Sequence, residues 1–201
     1  MIRRPDRPAS RRLFVAVPLD VGAVAAVGRL VGEVRSTVEV QHERPVRWVR
    51  HEGLHLTLRF LGATAEDRRP AVEAAVRAAA AGVPRFSVRL AGSGAFPTAA
   101  RPRVLWLGIA DGADQLRDLV ERLGERLAPI GFPPEDRPYA AHLTLARSDG
   151  LRSGPPTAAA LAAATAGWST SFEADRVTLF ESHTGGGPAR YEALVEVPLA
   201  D

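Results

Sequence analysis

The tetrapeptide His-Leu-Thr-Leu occurs twice in the chain, as His55–Leu58 and again as His142–Leu145. Successive side chains of a β-strand point to opposite faces, so each copy places its histidine and threonine on one face and its two leucines on the other. Strands that bury the leucines in a core therefore present two imidazoles and two hydroxyls to solvent. A single copy is ordinary core packing, but two copies, each placed after a helical segment, indicate one shared cleft.

Outward from the two motifs, short apolar runs alternate with segments of helical periodicity. Strands are predicted at Arg12–Val17, Val46–Val49, Leu54–Leu61, Phe86–Leu90, Val104–Ile109, His142–Ala146, Phe172–Glu181 and Tyr191–Leu199. Helices are predicted from an Asp20 cap to Thr37, from a capping-box-like Thr64 to Ala81, from Asp114 to Ala128, and as an alanine-rich segment after a Gly150–Pro156 break. The second and third strands are interpreted as a pair or as one interrupted strand, and the last two as an antiparallel hairpin turning at Gly185–Gly187.

This order contains a repeat, because a strand, a helix and a His-Leu-Thr-Leu strand follow one another in the first third and again in the middle. Helices that interleave with strands and end in a hairpin favour an α+β fold over a doubly wound parallel sheet. We therefore predict two interlocked lobes around one cleft, with residues 12–201 as a single domain. Residues 1–11 are predicted to be a flexible basic leader.

Composition excludes several kinds of chemistry. The 201 residues contain no cysteine, no lysine and no asparagine, so disulfides, thiol nucleophiles, P-loop lysines and Schiff bases are ruled out. All 26 basic residues are arginine, against 23 acidic ones, and the net charge of +3 is weak support for a protein that coats nucleic acid. The sequence shows no membrane-spanning run and no signal peptide, so we expect a soluble, cytoplasmic monomer without membrane contacts.

The duplicated motif carries a chemically complete set for a phosphate ester. Two histidines can act as general base and general acid near neutral pH, because their unperturbed pKa is about 6.5. Threonine hydroxyls can donate hydrogen bonds to the non-bridging oxygens, where negative charge must be held. This set requires no metal and no cofactor, and the sequence contains no zinc-ligand triad at helical spacing.

The chain resembles the 2H phosphoesterases, which paired His-x-Thr-x motifs mark, and within them the bacterial RNA 2′,3′-cyclic phosphodiesterases, long called 2′-5′ RNA ligases. The resemblance runs from about Arg12 to Leu199 and includes RLFVAVPL, VRWV, HLTLRFLG, FPTAARPRVLWLGI, HLTLAR and VTLFES…GGPARYEAL. It implies a bilobal α+β fold, with two antiparallel-rich sheets related by a pseudo-twofold axis around a central cleft and with the helices outside. Ala141 departs from the family, which often has proline before the second motif histidine.

The resemblance also implies an activity, the hydrolysis of an RNA-terminal 2′,3′-cyclic phosphate to a 2′-phosphomonoester. His55 is then the proton donor, His142 the base that activates water, and Thr57 and Thr144 the groups that hold the phosphate. The expected partners are RNA with such an end or 2′,3′-cyclic nucleotides. Two alternatives stay open: reversible 2′-5′ RNA ligation at the same site, and a non-catalytic RNA- or nucleotide-binding protein.

Two arginines and one phenylalanine are further candidates for substrate binding. An arginine at the position of Arg147 is a family feature, but strict alternation places Arg147 on the leucine face and Arg59 on the face of His55. Counting residues therefore favours Arg59 and resemblance favours Arg147. Phe96, in a loop that precedes Pro97, is a candidate stacking platform for a terminal base. The three tryptophans are interpreted as core residues.

Overall fold

The chain folds into two antiparallel sheets, whose strands alternate buried and exposed residues. A computed structural model describes residues 10–38, 46–183 and 189–201. The strands are β1 Ser10–Pro18, β2 Arg47–Trp48, β3 His55–Ala65, β4 Phe86–Phe96, β5 Val104–Asp111, β6 His142–Arg147, β7 Ser169–Ala174, β8 Arg176–His183 and β9 Arg190–Pro198. The helices are α1 Val21–Val38, α2 Arg69–Ala80, α3 Ala113–Leu127 and α4 Gly154–Ala164. The predicted α+β class is confirmed.

Each sheet forms one lobe. The first lobe contains a four-stranded sheet in the order β3-β1-β8-β9, and the second contains a five-stranded sheet in the order β2-β6-β5-β4-β7. One strand pair of each sheet corresponds to one of the other, since β3 lies beside β1 as β6 lies beside β5. The two motif strands, β3 and β6, face each other where the lobes meet.

The helices cover the sheets in an exchanged arrangement. Helix α1 follows a strand of the first sheet but packs against α4 and β7 of the second lobe. Helix α3 follows a strand of the second sheet but packs chiefly against α2, with further contacts to β3 in the first lobe. Each lobe therefore contains a helix that follows a strand of the other sheet, as expected for interlocked lobes.

Local sequence explains where the first helix begins and which face it buries. The backbone N–H of Ala23 donates to the Asp20 carboxylate at 2.7 Å, which confirms the predicted N-cap. Val27, Leu30 and Val34 are spaced at helical intervals and are at most 1% exposed. Helix α3 buries a similar apolar stripe, Leu116, Leu119, Leu123 and Leu127. None of the helices in the described ranges is long and apolar enough to cross a membrane.

Two predictions about strands are wrong. The segments around Val46–Val49 and Leu54–Leu61 are neither a pair nor one strand, because β2 joins β6 in the second sheet and β3 joins β1 in the first. A short 3₁₀ turn, His51–Gly53, carries the chain from one sheet to the other. The predicted strand Phe172–Glu181 is likewise two strands in different sheets, β7 and β8, which are separated at Asp175.

Two element boundaries also differ from the prediction. Thr64 caps no helix, because it lies within β3, next to its last residue, and its hydroxyl donates to the Gly62 carbonyl. A 3₁₀ turn, Glu66–Arg68, then leads into α2. Helix α4 begins at Gly154, inside the predicted break. The closing hairpin of β8 and β9 is present, while its predicted turn at 185–187 lies outside the described residues. Strand β1 begins at Ser10, and residues 1–9 of the predicted leader also lie outside them.

Candidate active site in the cleft between the sheets

A cavity of about 390 Å³ opens between the two motif strands. It is lined by residues of both lobes, which include His55 and Thr57 from β3 and Thr144 and Arg147 from β6. His142 lies on the same face of β6 as Thr144, two residues earlier along the strand. The leucines of both motifs are at most 3% exposed on the opposite faces, as the alternation predicts.

Both motif histidines are held by the same hydrogen bond. His55 Nδ1 lies 2.7 Å from the carbonyl oxygen of Gly53, and His142 Nδ1 lies 2.7 Å from that of Ala140. A carbonyl can only accept, so each Nδ1 carries its hydrogen and donates it to the residue two positions earlier. This fixes the tautomer of each neutral ring and leaves both Nε2 atoms available for proton transfer.

Aromatic rings surround the first histidine. The centroid of the His55 ring is 4.8 Å from that of Phe14 and 5.1 Å from that of Tyr191, which meets it edge-on at 88°. Phe180 stacks on Phe14 behind them. These rings displace water, and because burial disfavours the charged imidazolium, it lowers the pKa of His55 to about 4.

The second histidine has a smaller aromatic environment. Phe96 meets the His142 ring edge-on, with centroids 5.1 Å apart, and Trp106 lies 6.2 Å away. The indole of Trp106 packs over Gly94 so closely that a β-carbon at Gly94 would overlap it. Phe96, the predicted base platform, is 36% exposed and therefore retains accessible surface beside His142.

A β-bulge follows the third residue of each motif and decides which arginine reaches the cleft. In the first lobe Ala16 pairs with Thr57 and Val15 with Arg59, so Leu58 is the extra residue. In the second lobe Trp106 pairs with Thr144 and Leu105 with Ala146, so Leu145 is extra. An extra residue inverts the alternation beyond it.

The bulge in β6 turns Arg147 toward the cavity, where it lines the wall and interacts electrostatically with Tyr191. Burial raises the pKa of Tyr191, and the positive charge of Arg147 opposes that rise. The resemblance therefore placed Arg147 correctly, and strict alternation did not. Strand β3 has Phe60 at the corresponding position, and Phe60 also lines the cavity.

The prediction that Arg59 shares the face of His55 is wrong, because the bulge in β3 turns Arg59 away. Its side chain is buried, with 5% exposure, and its guanidinium donates to the backbone carbonyls of Phe132 and Pro133. Arg59 thus anchors the segment that follows α3 to the outer side of the first sheet. It lines a different groove, together with residues of α3.

Tyr139 joins the two lobes beside the site. It lies three residues before His142, and its hydroxyl donates to the backbone carbonyl of Thr57 at 3.1 Å. Burial raises the pKa of Tyr139, so the phenol stays protonated and can donate this hydrogen bond. The bond fixes the approach to one motif strand against the backbone of the other.

The sequence reasoning missed several aromatic residues of the site, and Tyr191 and Phe60 are the two on the cavity wall beyond the strand irregularities. Both lie within quoted motif segments, RYEAL and HLTLRFLG, but residue counting does not reveal the irregularities that set their side-chain directions. Phe60 is 61% exposed on the cavity wall, which makes it the more accessible of the aromatic surfaces near His55. Trp48 and Trp168 are half-buried and pack against the core, as predicted.

One group of possible metal ligands stands apart from the histidine pair. Glu181, His183 and Glu192 bring three ligand atoms within 4.8 Å of one another. On β8 the neighbours of Glu181, Phe180 and Ser182, lie on the side of His55 and the cavity, so Glu181 points to the opposite face. There its carboxylate accepts a hydrogen bond from Arg11. Within the ranges that the structure describes, this group shares no residue with the cavity lining.

A fold of two antiparallel sheets with one His-x-Thr strand each, facing a common cavity, defines the 2H phosphoesterase class. Solved structures agree with this fold, since Escherichia coli LigT complexed with 3′-AMP superimposes with a TM-score of 0.72 at 25% identity. That match covers 96% of this chain and 100% of LigT. A family model described as the 2′-5′ RNA ligase superfamily matches residues 24–186, and the chain belongs to that family.

Curated relatives carry one activity in their names. The RNA 2′,3′-cyclic phosphodiesterase of Aeropyrum pernix is 40% identical over 111 residues, which are 55% of this chain and 62% of that protein. The protein of the same name from Geobacillus stearothermophilus is 33% identical over 196 residues, which are 92% of this chain and 56% of that protein. The matches thus span about three fifths of the length of these two relatives.

Proposed function

We propose that this protein hydrolyses the 2′,3′-cyclic phosphate at the end of an RNA to a 2′-phosphomonoester, without a metal ion. The observation that carries the proposal is the matched pair of histidines, each with Nδ1 donating to a backbone carbonyl and Nε2 left available beside a motif threonine. The names of the curated relatives support the same substrate class.

The proposed reaction uses one histidine as base and the other as acid. His142 Nε2 accepts a proton from water as the water oxygen attacks phosphorus. The bond between phosphorus and O3′ breaks, and His55 Nε2 donates a proton to the departing O3′. Positioned proton transfer of this kind contributes about 10²–10⁴-fold in rate. The product has a 2′-phosphate and a free 3′-hydroxyl.

The phosphate itself is held by hydroxyl and guanidinium donors. Thr57 and Thr144 line the cavity from opposite lobes, so their hydroxyls can donate to the two non-bridging oxygens. Arg147 adds a charged donor on the same wall, where negative charge increases in the transition state. Together these groups supply the charge stabilisation that a metal ion provides in other phosphoesterases.

Substrate binding gives His55 its proton in this scheme. Burial keeps the pKa of His55 at about 4 in the free protein, so the ring is neutral at pH 7. A bound phosphodiester places a negative charge next to the imidazole, and an opposite charge raises the pKa of a histidine. The acid is therefore formed in the complex rather than in the empty site.

Product analysis tests the proposal most directly. The protein is incubated with 2′,3′-cyclic AMP and with a short RNA ending in a cyclic phosphate, and 2′- and 3′-phosphate products are resolved by chromatography. We expect only the 2′-phosphate, at a rate that EDTA does not change. A 3′-phosphate product would contradict the assigned acid and base, and strong inhibition by EDTA would contradict metal independence.

The same assay separates the two alternatives. A non-catalytic binding protein retains the cyclic nucleotide without releasing either product. A 2′-5′ ligase joins the cyclic end to an added RNA with a 5′-hydroxyl, and the joined product is longer on a gel. If the cyclic phosphate is hydrolysed faster than it is joined to the added RNA, the result favours the phosphodiesterase over both alternatives.

A further inference from the structure

The cavity extends well beyond the two histidines. From Thr57 it continues along the first sheet, past Phe60 and Gly62, to Arg12 on β1. Arg12 pairs with Ala63 in the β1–β3 ladder, whereas Thr57 pairs with a residue four positions farther along β1. At about 3.3 Å per residue, Arg12 lies about 13 Å along the sheet from the phosphate-binding threonine.

Arg12 points to the cleft, unlike its neighbour Arg11. Residues two apart in a strand share a face, so Arg12 faces the same side as Phe14, whose ring lies against His55. Arg11 faces the other side and forms ion pairs with Glu66 and Glu181. The two adjacent arginines thus have separate environments.

The guanidinium of Arg12 is exposed, and nothing neutralises it within the described part of the chain. No ion pair or hydrogen bond of its side chain is formed there, whereas Arg11, Arg59 and Arg176 all bind carboxylates or carbonyls. A planar donor fork without a partner, at the end of a cavity that binds phosphate at its other end, is suited to a second phosphate.

An exposed aromatic ring lies between the two phosphate positions. Phe60 is 61% exposed on the cavity wall, between Thr57 and Gly62 in sequence. Grooves for single-stranded nucleic acid combine aromatic rings, on which bases stack, with cations that follow the backbone. Along this wall the threonine, the aromatic ring and the arginine can contact three parts of one terminal nucleotide: its cyclic phosphate, the base that projects from its ribose, and the phosphate on its 5′ oxygen.

We propose that Arg12 binds the phosphodiester that links the terminal nucleotide to the rest of the RNA. This inference rests on the proposed function and extends it, because it predicts a preference for oligonucleotides over cyclic mononucleotides. A mononucleotide ends at Phe60 and gains nothing from Arg12. A dinucleotide has a second phosphate and reaches it.

Two substrates and two variants test the proposal. Arg12→Ala is compared with Arg77→Ala, which removes the same charge from the exposed face of α2, on the outer side of the same sheet. With a dinucleotide that ends in a cyclic phosphate, Arg12→Ala raises KM about tenfold and leaves kcat unchanged, as expected for one charged hydrogen-bonding contact. With 2′,3′-cyclic AMP neither variant differs from the unmodified protein.

The dependence on salt gives a second measure. Loss of one phosphate contact reduces the slope of log KM against log salt concentration by about one for the dinucleotide. Arg77→Ala keeps the original slope. Equal effects of Arg12→Ala on both substrates, or no effect on the dinucleotide, would overturn the proposal, since either result means that Arg12 does not contact a second phosphate.

Binding measurements distinguish failure of this inference from failure of the proposed function. A dinucleotide and a mononucleotide that each end in a 2′-phosphate are titrated by calorimetry, which requires no turnover. The unmodified protein and Arg77→Ala bind the dinucleotide about tenfold more tightly, and Arg12→Ala loses that advantage. Absence of turnover with this binding pattern intact contradicts only the catalytic proposal. Equal affinities for both ligands contradict the Arg12 subsite.

Discussion

The two motif strands have the same sequence and the same backbone geometry but different surroundings. In each, the histidine donates to the carbonyl two residues earlier, and a bulge follows the threonine. Around His55 the neighbours are Phe14, Phe180 and Tyr191, and the residue that the bulge exposes is Phe60. At the corresponding position on the other strand the bulge exposes Arg147.

The different surroundings distinguish the two histidines, to which the sequence repeat alone assigns equivalent roles. In the proposed mechanism the apolar environment disfavours the imidazolium in the empty site, so that protonation of His55 depends on an anion bound beside it. Arg147 on the other wall is the group proposed to bind that anion. The repeated backbone fixes the positions of the groups, and the residues beyond each bulge fix the electrostatic character of each wall.

Removal of either histidine has the largest effect that we expect. His55→Ala and His142→Ala each lower kcat by about 10²–10⁴-fold, because each removes one proton-transfer group. Rates with a cyclic-ended RNA measure the loss, and circular dichroism verifies the fold. His51→Ala, at an exposed histidine of the turn before β3, serves as the matched control and keeps full activity. Full activity in both motif variants would remove the histidine pair from the mechanism.

The protonation of His55 gives the next largest effect. With a pKa of about 4, only about one molecule in a thousand carries a proton on His55 at pH 7 in the free protein. A bound phosphate adds an opposite charge, so the ring titrates at a higher pH in the complex. Histidine NMR spectra, assigned with a His55→Gln variant, measure both values. A His55 signal that titrates near pH 6.5 with and without phosphate would contradict the role of the aromatic environment.

The folded state also depends on pH through His55. Its pKa is about 4 in the folded protein and about 6.5 in the unfolded chain, so the unfolded chain binds the extra proton between these values. The contribution of His55 to stability is therefore complete above pH 6.5 and is lost as the pH falls toward 4. Urea unfolding of the unmodified protein and of His55→Gln at several pH values isolates this contribution.

The two arginines beyond the bulges separate binding from stability. Arg147→Ala lowers kcat/KM roughly 10- to 150-fold, a loss of about 1.5–3 kcal/mol of transition-state stabilisation, through loss of a charged donor to phosphate. Arg59→Ala instead lowers the free energy of unfolding by about 1–3 kcal/mol, because it leaves the Phe132 and Pro133 carbonyls without their donor. Its activity per folded molecule stays unchanged. An exchange of these two outcomes would place Arg59 at the substrate.

Two glycines provide the smallest expected contrast. Gly94→Ala inserts a β-carbon into the ring of Trp106 and costs about 1–3 kcal/mol of unfolding free energy, with a loss of activity as the rings beside His142 shift. Gly53→Ala brings a β-carbon to 3.0 Å from Tyr191 Cε2, which a small ring movement relieves. Chemical unfolding measures both variants. Equal stabilities would mean that the two walls are packed alike.

Much of the fold follows from periodicity in the sequence, and the exceptions have physical causes. The motif strands, their buried leucines and the Asp20 cap follow from local rules that tertiary contacts do not override. The change of sheet between β2 and β3 does not, because local patterns do not encode which edge a two-residue strand joins. The helix start predicted at Thr64 is wrong for a related reason, since a capping box and a strand end share residue types.

The candidate site divides in the same way. His55, Thr57, His142 and Thr144 follow from the motif, because alternation holds up to the bulge in each strand. Directly beyond the bulge, counting residues assigns a side chain to the wrong face, and for that reason Arg59 was misplaced. Only the pairing register reveals the extra residue, and that register depends on neighbours distant in sequence.

The exchange of helices between the lobes has a consequence for how the protein can be divided. Helix α1 packs in the second lobe and α3 in the first, so a cut in the segment between β4 and β5 leaves each fragment with a helix whose partners belong to the other fragment. We expect neither fragment to fold alone, and we expect a mixture of the two to recover structure that each lacks by itself. Although its motifs repeat, we therefore expect the protein to unfold as one cooperative unit.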